Sequence, residues 1–235
     1  MKKILFIGAA DKSDLLLSIC KVLASSGSRV LLVDGTVGKK LRYSINHFKD
    51  DQAVIEFEGF DVSLSFGNIS EVEGYLNEQD QNEQYDTLIV DTDANDFLTY
   101  ADYKNANMRI IVTSYEKYCM DQNEVIISSI YSTDDKPGQV EVDRIIVNSV
   151  ECGIDEDYLN MQLANYYIIW PEESFYLPFD EVNYAIKIRN QHNKRINFKR
   201  VSRAYLSVIG EISQKILDCD KKTVKTAIKL AQRRG

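Results

Sequence analysis

Short apolar runs, each closed by a polar or turn-forming residue, recur along this chain, and longer stretches with helical spacing separate them. Residues 3–7 end at Gly8, 29–33 at Asp34, 85–90 at Asp91, 108–112 at Thr113, 142–147 at Asn148 and 166–170 at Pro171. Runs of this length without polar alternation predict strands covered on both faces, as in a parallel sheet. Residues 53–57 and 60–64 flank Gly59 and predict a hairpin. Helical periodicity predicts helices over about 13–25, 69–77, 95–104, 117–131 and 155–164, followed by a purely helical end at about 179–189, 197–218 and 221–233. The alternation predicts the α/β class: a single doubly wound, mostly parallel sheet flanked by helices. One domain is expected over 1–235, with 221–235 as a basic C-terminal helix.

Composition leaves that picture unchanged. Hydrophobic residues make up 44% and charged residues 27%, ordinary values for a globular protein. No apolar run reaches membrane-spanning length. Residues 2–7 read as a strand, not a signal peptide, and Cys20, Cys119, Cys152 and Cys219 have no paired spacing. Together these predict a cytoplasmic protein with reduced thiols. His47 and His192 are the only histidines, which argues against histidine-based metal or triad chemistry.

Charge does alter it. The formal net charge is −8, yet residues 182–235 hold fourteen lysines and arginines against Glu211, Asp218 and Asp220. That end stands at +11 and residues 1–181 at −19. A chain so polarised is suited to meet an anionic partner (lipid surface, DNA or acidic protein) through its C-terminal end. Val224, Ala227, Ile228 and Ala231 share one face of the last helix. So small an apolar face predicts only weak membrane attachment by that helix.

The candidate chemistry lies in the first turn, Gly8-Ala9-Ala10-Asp11-Lys12-Ser13, between a strand and a helix. A phosphate-binding loop of the form G-x-x-x-x-G-K-[ST] uses converging backbone N–H groups at a helix N-terminus. This turn keeps the Lys-Ser pair, is two residues short, and has Asp11 where the second glycine belongs. A carboxylate about 4 Å from a bound phosphate costs on the order of 4 kcal/mol at an effective dielectric near 20. The loop therefore argues against robust ATP hydrolysis. Lys12-Ser13 also suits a plain helix start, with Asp11 or Ser13 as cap. Asp93 is placed to pair with Lys12 in an internal salt bridge.

Taken in order, these pieces resemble the MinD/ParA family of deviant Walker ATPases over most of the chain. Residues 30–34 are similar to the family's second strand with its aspartate, and 88–92 to its Walker B segment. Residues 145–148 resemble the strand whose asparagine approaches adenine. The stretch 168–173 resembles the Ile-Pro-Glu/Asp segment that lines the base. The resemblance implies nucleotide contacts at Gly8, Asp11, Lys12, Ser13, Asn148, Pro171 and Glu172. It implies magnesium at Ser13, Asp34 and Asp91 if Mg-ATP binds. The departures fall on the chemistry: the signature lysine has no place, Thr36 stands for a second aspartate, and Asp93 for the usual proline.

The expectation is a degenerate member with no catalytic residue and no resident cofactor. It would act as a spatial regulator or assembly scaffold for a bacterial machine of pilus, secretion, conjugation or partition type. Its partners would be proteins of that assembly, with a homodimer and a weak membrane or DNA contact through 182–235 as further options, and a peripheral position at the inner membrane face admitted. The alternatives are a slow ATPase holding Mg-ATP in an altered loop and a DNA-associated partition protein.

Overall fold

A computed structural model describes residues 1–46, 52–78 and 84–233; His47 lies outside them. In chain order the elements are β1 (Lys2–Ile7), α1 (Ser13–Ser25), β2 (Val30–Asp34), a 3-10 turn (Lys40–Tyr43), β3 (Ile55–Phe57), β4 (Phe60–Ser63), α2 (Ile69–Glu78), β5 (Thr87–Thr92), α3 (Tyr100–Asn105), β6 (Met108–Thr113), α4 (Lys117–Tyr131), β7 (Val140–Glu141), β8 (Asp143–Ser149), α5 (Glu156–Gln162), β9 (Ile168–Ile169), β10 (Phe175–Pro178), α6 (Glu181–Asn193), α7 (Arg203–Leu217) and α8 (Lys221–Arg233). The main sheet runs β10-β8-β6-β1-β5-β2-β4-β3. All its pairings are parallel except β3 with β4.

Strand alternation divides the interior into two cores. Ile4, Phe6 and Leu32 face α1, α7 and α8, whereas Leu5, Ile7, Leu31 and Val33 face α2, α3 and α4. Every residue of β2 and β5 is buried, as a strand sandwiched between helical layers must be. The expected hairpin forms at β3–β4, turning through Glu58 (φ 55°) and Gly59 (φ 93°). Two consecutive left-handed residues are what a tight, strand-twisted hairpin turn requires.

Three sequence-based assignments change. The helix expected from 95 starts only at Tyr100, where Thr99 caps it by accepting the Asp102 N–H. Residues 166–170 do not join the main sheet: β9 pairs only with β7 in a separate two-stranded ladder. The edge place beside β8 is taken by β10, which buries Leu177. The Ile168 N–H folds back onto the Tyr166 carbonyl at 2.8 Å, and Pro171 has no N–H, so this run cannot sustain a long ladder. The helix expected from 197 starts at Arg203, where the Ser202 hydroxyl accepts the Tyr205 N–H. Before it, Ile196 and Phe198 drop into the core from irregular backbone.

The C-terminal helix is an integral layer. Val224, Ala227 and Ala231 are buried against α1 and α7. A Cβ on Gly210 of α7 would come within 3.1 Å of Ile228 Cδ1, so the glycine permits the close approach of the two helices. The apolar face predicted to touch lipid is thereby committed to the core.

Candidate functional site

The carboxyl ends of β1, β2 and β5 meet the N-terminus of α1, the place where open parallel sheets present ligand sites. Gly8 adopts φ 136°, and a Cβ there would overlap the Val112 carbonyl oxygen and come within 2.8 Å of Asn123 Oδ1. Only glycine fits. The donors that should face a ligand are turned inward. The Gly8 N–H donates to Thr92 O at 2.9 Å, and the Ala9 N–H to Asn123 Oδ1 at 2.8 Å. Asn123 reaches in from α4 and donates to Val112 O at 3.2 Å. The Ser13 N–H and hydroxyl both donate to Asp11 Oδ1, at 3.2 and 2.8 Å. The turn supplies its own anion to the start of α1, where a carboxylate is favoured by the helix dipole.

Lys12 is the centre of the arrangement. Its side chain is 2% exposed; Nζ donates to the Gly8 carbonyl at 2.6 Å and lies 2.7 Å from Asp91 Oδ1. That oxygen is buried, and the Lys12 ammonium is its ion-pair partner. Burial pushes the Asp91 carboxyl up to about 6; Lys12 opposes the shift, and Asp34 and Asp93 add to it. Asp93 does not pair with Lys12, contrary to the sequence expectation. Its Oδ1 accepts the Val37 N–H at 2.7 Å, closing the turn after β2.

Asp34 is fully buried and already engaged. Its Oδ1 accepts from the Thr36 N–H at 2.9 Å and from the Thr36 hydroxyl, and its Oδ2 from the Leu41 N–H at 3.2 Å. Asp34 and Asp91 are register partners on adjacent strands. Asp11 is held at about 2: burial works against its ionisation, but Lys187 at 3.0 Å and the hydrogen bonds from Ser13 and Lys187 outweigh it. Ser13, Asp34 and Asp91, the magnesium positions implied by the resemblance, are thus each bonded within the chain. Among the described residues no group of three or more His, Cys, Asp or Glu is placed to hold a metal. The cavity between Ala9, Asp11, Lys12, Thr36, Lys40 and Asp91 measures about 10 Å³, room for about one water.

The region implied for the base is divided. Asn148, at φ 51°, lines a cavity of about 70 Å³ with Asp11, Asp14, Pro178, Asp180 and Lys187. Burial raises the Asp14 carboxyl above its usual range, although the Tyr205 hydroxyl donates to it at 2.6 Å. Pro171 and Glu172 are elsewhere. They line a cavity of about 340 Å³ with Met108 and Asp143, the first residues of β6 and β8, at the amino end of the sheet. The strand end that does reach Asn148 is Leu177-Pro178-Phe179-Asp180, and Asp180 caps α6 by accepting the Asn183 N–H at 2.8 Å. A Pro-x-Asp directly before a helical stretch was the available signal. Asn123 and Lys187 had none, since each acts through a contact distant in sequence.

The basic end is partly surface. Lys40, Arg42, Arg189, Lys194, Arg195, Lys199, Arg200 and Arg203 are exposed. Lys194 Nζ donates to the Tyr43 carbonyl at 2.9 Å, joining the segment after α6 to the 3-10 turn after β2. No helix among the described residues is long and apolar enough to cross a membrane.

No protein-family model matches the chain, and no curated protein sequence matches it. Solved structures do match. MinD in the MinC:MinD cell division protein complex of Aquifex aeolicus superposes with TM-score 0.65 at 15% identity, covering 94% of this chain and 97% of that one. A ParA family ATPase from Chlorobium tepidum gives 0.56 at 15%, covering 98% and 99%. The pNOB8 ParA bound to nonspecific DNA gives 0.52 at 15%, covering 100% and 98%. The order of the parallel strands, the turn opening α1 and the helical C-terminal layer identify the fold of this chain as that of the MinD and ParA P-loop ATPases.

Proposed function

We propose that the chain is a MinD/ParA-like protein that no longer turns over nucleotide and serves as a spatial regulator or assembly scaffold of a bacterial machine. The observation that carries this reading is Lys12, buried between the Gly8 carbonyl and Asp91. In a working phosphate loop that ammonium faces the ligand. Asp11 occupies the helix N-terminus that a phosphate would use, and the remaining space is that of one water. The residues present therefore do not fit a magnesium triphosphate. Protein recognition then falls to the surface: Phe179, Val182, Tyr184 and Ile188 around α6 are exposed apolar residues beside the Asp11–Lys187 pair. They suit a protein partner or a homodimer, in the cytoplasm or at the inner membrane face.

Thermal unfolding with and without Mg-ATP tests this. Ligand at a hundred times its dissociation constant stabilises by about 2.7 kcal/mol, about 5–10 °C for a chain of this size. The expected shift is under about 1 °C. A rise of several degrees would favour the slow-ATPase alternative.

The exposed cations around Arg195 and Arg203 favour a second reading, a partition protein on DNA, in keeping with the fold shared with the DNA-bound ParA. Salt-sensitive binding to nonspecific duplex would support it, and no binding at low salt would remove it.

A further inference from the structure

The chain carries two unlike surfaces that complement each other. The first lies on α4 and α5. Tyr118 is 68% exposed, Met161 75%, Tyr158 46% and Val125 45%. The two helices lie side by side: Gln162 Nε2 donates to Asp121 Oδ1 at 2.9 Å, and Lys117 is within electrostatic reach of Tyr158 and Glu124. Asp121 and Glu124 on α4 and Asp155 and Asp157 at the start of α5 neighbour these residues in sequence; Lys117 pairs with Asp121 at 2.6 Å, and the other three carboxylates leave the face acidic. Tyrosine and methionine among acidic groups form a surface typical of a protein contact, not of a solvated face.

The second surface is the basic rim built from the segment after β2 and the segment after α6. Three of its basic residues hold left-handed backbone: Lys39 at φ 43°, Lys194 at φ 51° and Arg200 at φ 70°. Ile196 and Phe198 anchor the intervening backbone in the core under α1. Lys39 and Lys194 turn their ammonium groups onto backbone carbonyls, and Arg195, Lys199, Arg200 and Arg203 are the cations that the rim displays.

We infer that the basic rim of one copy docks on the acidic, aromatic α4–α5 face of a second copy, giving head-to-tail assembly without nucleotide. Charge selects this occupant. The rim attracts an anionic surface, and the α4–α5 face of a second copy offers one with apolar anchors beside it, which a bare polyanion lacks. Position then sets the outcome. Ile126, Ile127 and Ile130 pack α4 on one face of the sheet, and Ile196 and Phe198 pack on the other. A contact between unlike patches on opposite faces is heterologous, so it builds a ring or an open filament and not a two-fold dimer. The contact uses no residue of the phosphate loop and holds whatever that loop binds.

Sedimentation velocity of the full chain without nucleotide tests it. Species larger than a dimer should grow with concentration at low salt and dissociate in molar salt, where the screening length is about 3 Å. The variant Arg195→Glu/Lys199→Glu/Arg203→Glu should be monomeric, and so should Glu124→Lys/Asp157→Lys. An equimolar mixture of the two should assemble again, because the reversed rim of one now matches the reversed face of the other. A chain monomeric at low salt, a closed dimer indifferent to both reversals, or a mixture that stays monomeric would each overturn the inference. Should a variant fail to fold, the concentration and salt dependence of the unmodified chain decides alone.

Discussion

Removing the Lys12 ammonium with Lys12→Met perturbs the site where its geometry is most specific. At 2.7 Å and an effective dielectric near 20, the attraction between Lys12 and Asp91 is about 6 kcal/mol before desolvation. Both groups are buried, so most of that attraction offsets the cost of taking two ions out of water. What the single substitution exposes is the other side of the balance, a buried carboxylate with no counter-charge and with Asp34 alongside. Breaking such a pair costs about 3–5 kcal/mol, and here the lower end applies because Asp91 can escape by protonating. For a chain of this size about 3 kcal/mol lowers Tm by about 6–12 °C. The double variant Lys12→Met/Asp91→Asn should recover most of the loss, to within about 1 kcal/mol of the parent. Urea denaturation of the four proteins of the cycle measures this directly. The loss in Lys12→Met should also shrink at pH 5, where Asp91 takes up a proton. A single variant within about 0.5 kcal/mol of the parent would refute the reasoning, since Lys12 would then be a solvated side chain waiting for a phosphate.

Further outcomes follow from the same geometry. Asp91 is raised to about 6 from its unfolded 3.8, so the folded chain binds that proton more tightly. Its contribution to stability is full below about pH 4 and falls by about 3 kcal/mol as pH rises through 6, an effect missing from the Asp91→Asn stability profile. Asp11 has the opposite sign. Held at about 2, it contributes stability above pH 4 that is lost as pH falls toward 2, and Asp11→Ala should cost about 1 kcal/mol at pH 7 in urea denaturation. Gly8→Ala should destabilise by at least about 3 kcal/mol or abolish soluble expression, because the new Cβ meets the Val112 carbonyl at a positive φ. The folded chain should not co-sediment with anionic vesicles through α8, where Val224, Ala227 and Ala231 are buried and Ile228 and Leu230 are half-buried; salt-resistant binding lost on deleting 221–233 from a chain that stays folded would contradict this.

The sheet and its first crossover were legible because buried parallel strands write themselves as unbroken apolar runs: β1, β2 and β5 lie within or beside the runs 3–7, 29–33 and 85–90 for that reason. The altered loop was legible as well, since Asp11 and the shortened spacing are visible without coordinates. Local pattern failed where two runs competed for one place. Residues 166–170 and 175–178 both read as apolar, and only the depth at which Leu177 packs decides which joins the sheet. Pro171 and Glu172, which the resemblance implied for the base, lie at the far end of the sheet from Asn148. Asn123, Lys187 and the true partner of Lys12 were hidden because each contact joins residues far apart in sequence. The basic C-terminal helix looked free by its charges alone, but Gly210 and Ile228 show a helix pair packed too closely for that face to be surface.

The most direct test is a crystal structure grown with magnesium and a non-hydrolysable ATP analogue. The Lys12–Asp91 ion pair should remain intact, Asp11 should still accept from Ser13, and no triphosphate should lie between Gly8 and Ser13. An ordered triphosphate with magnesium at Ser13, and Lys12 turned away from Asp91 onto the phosphates, would contradict the account.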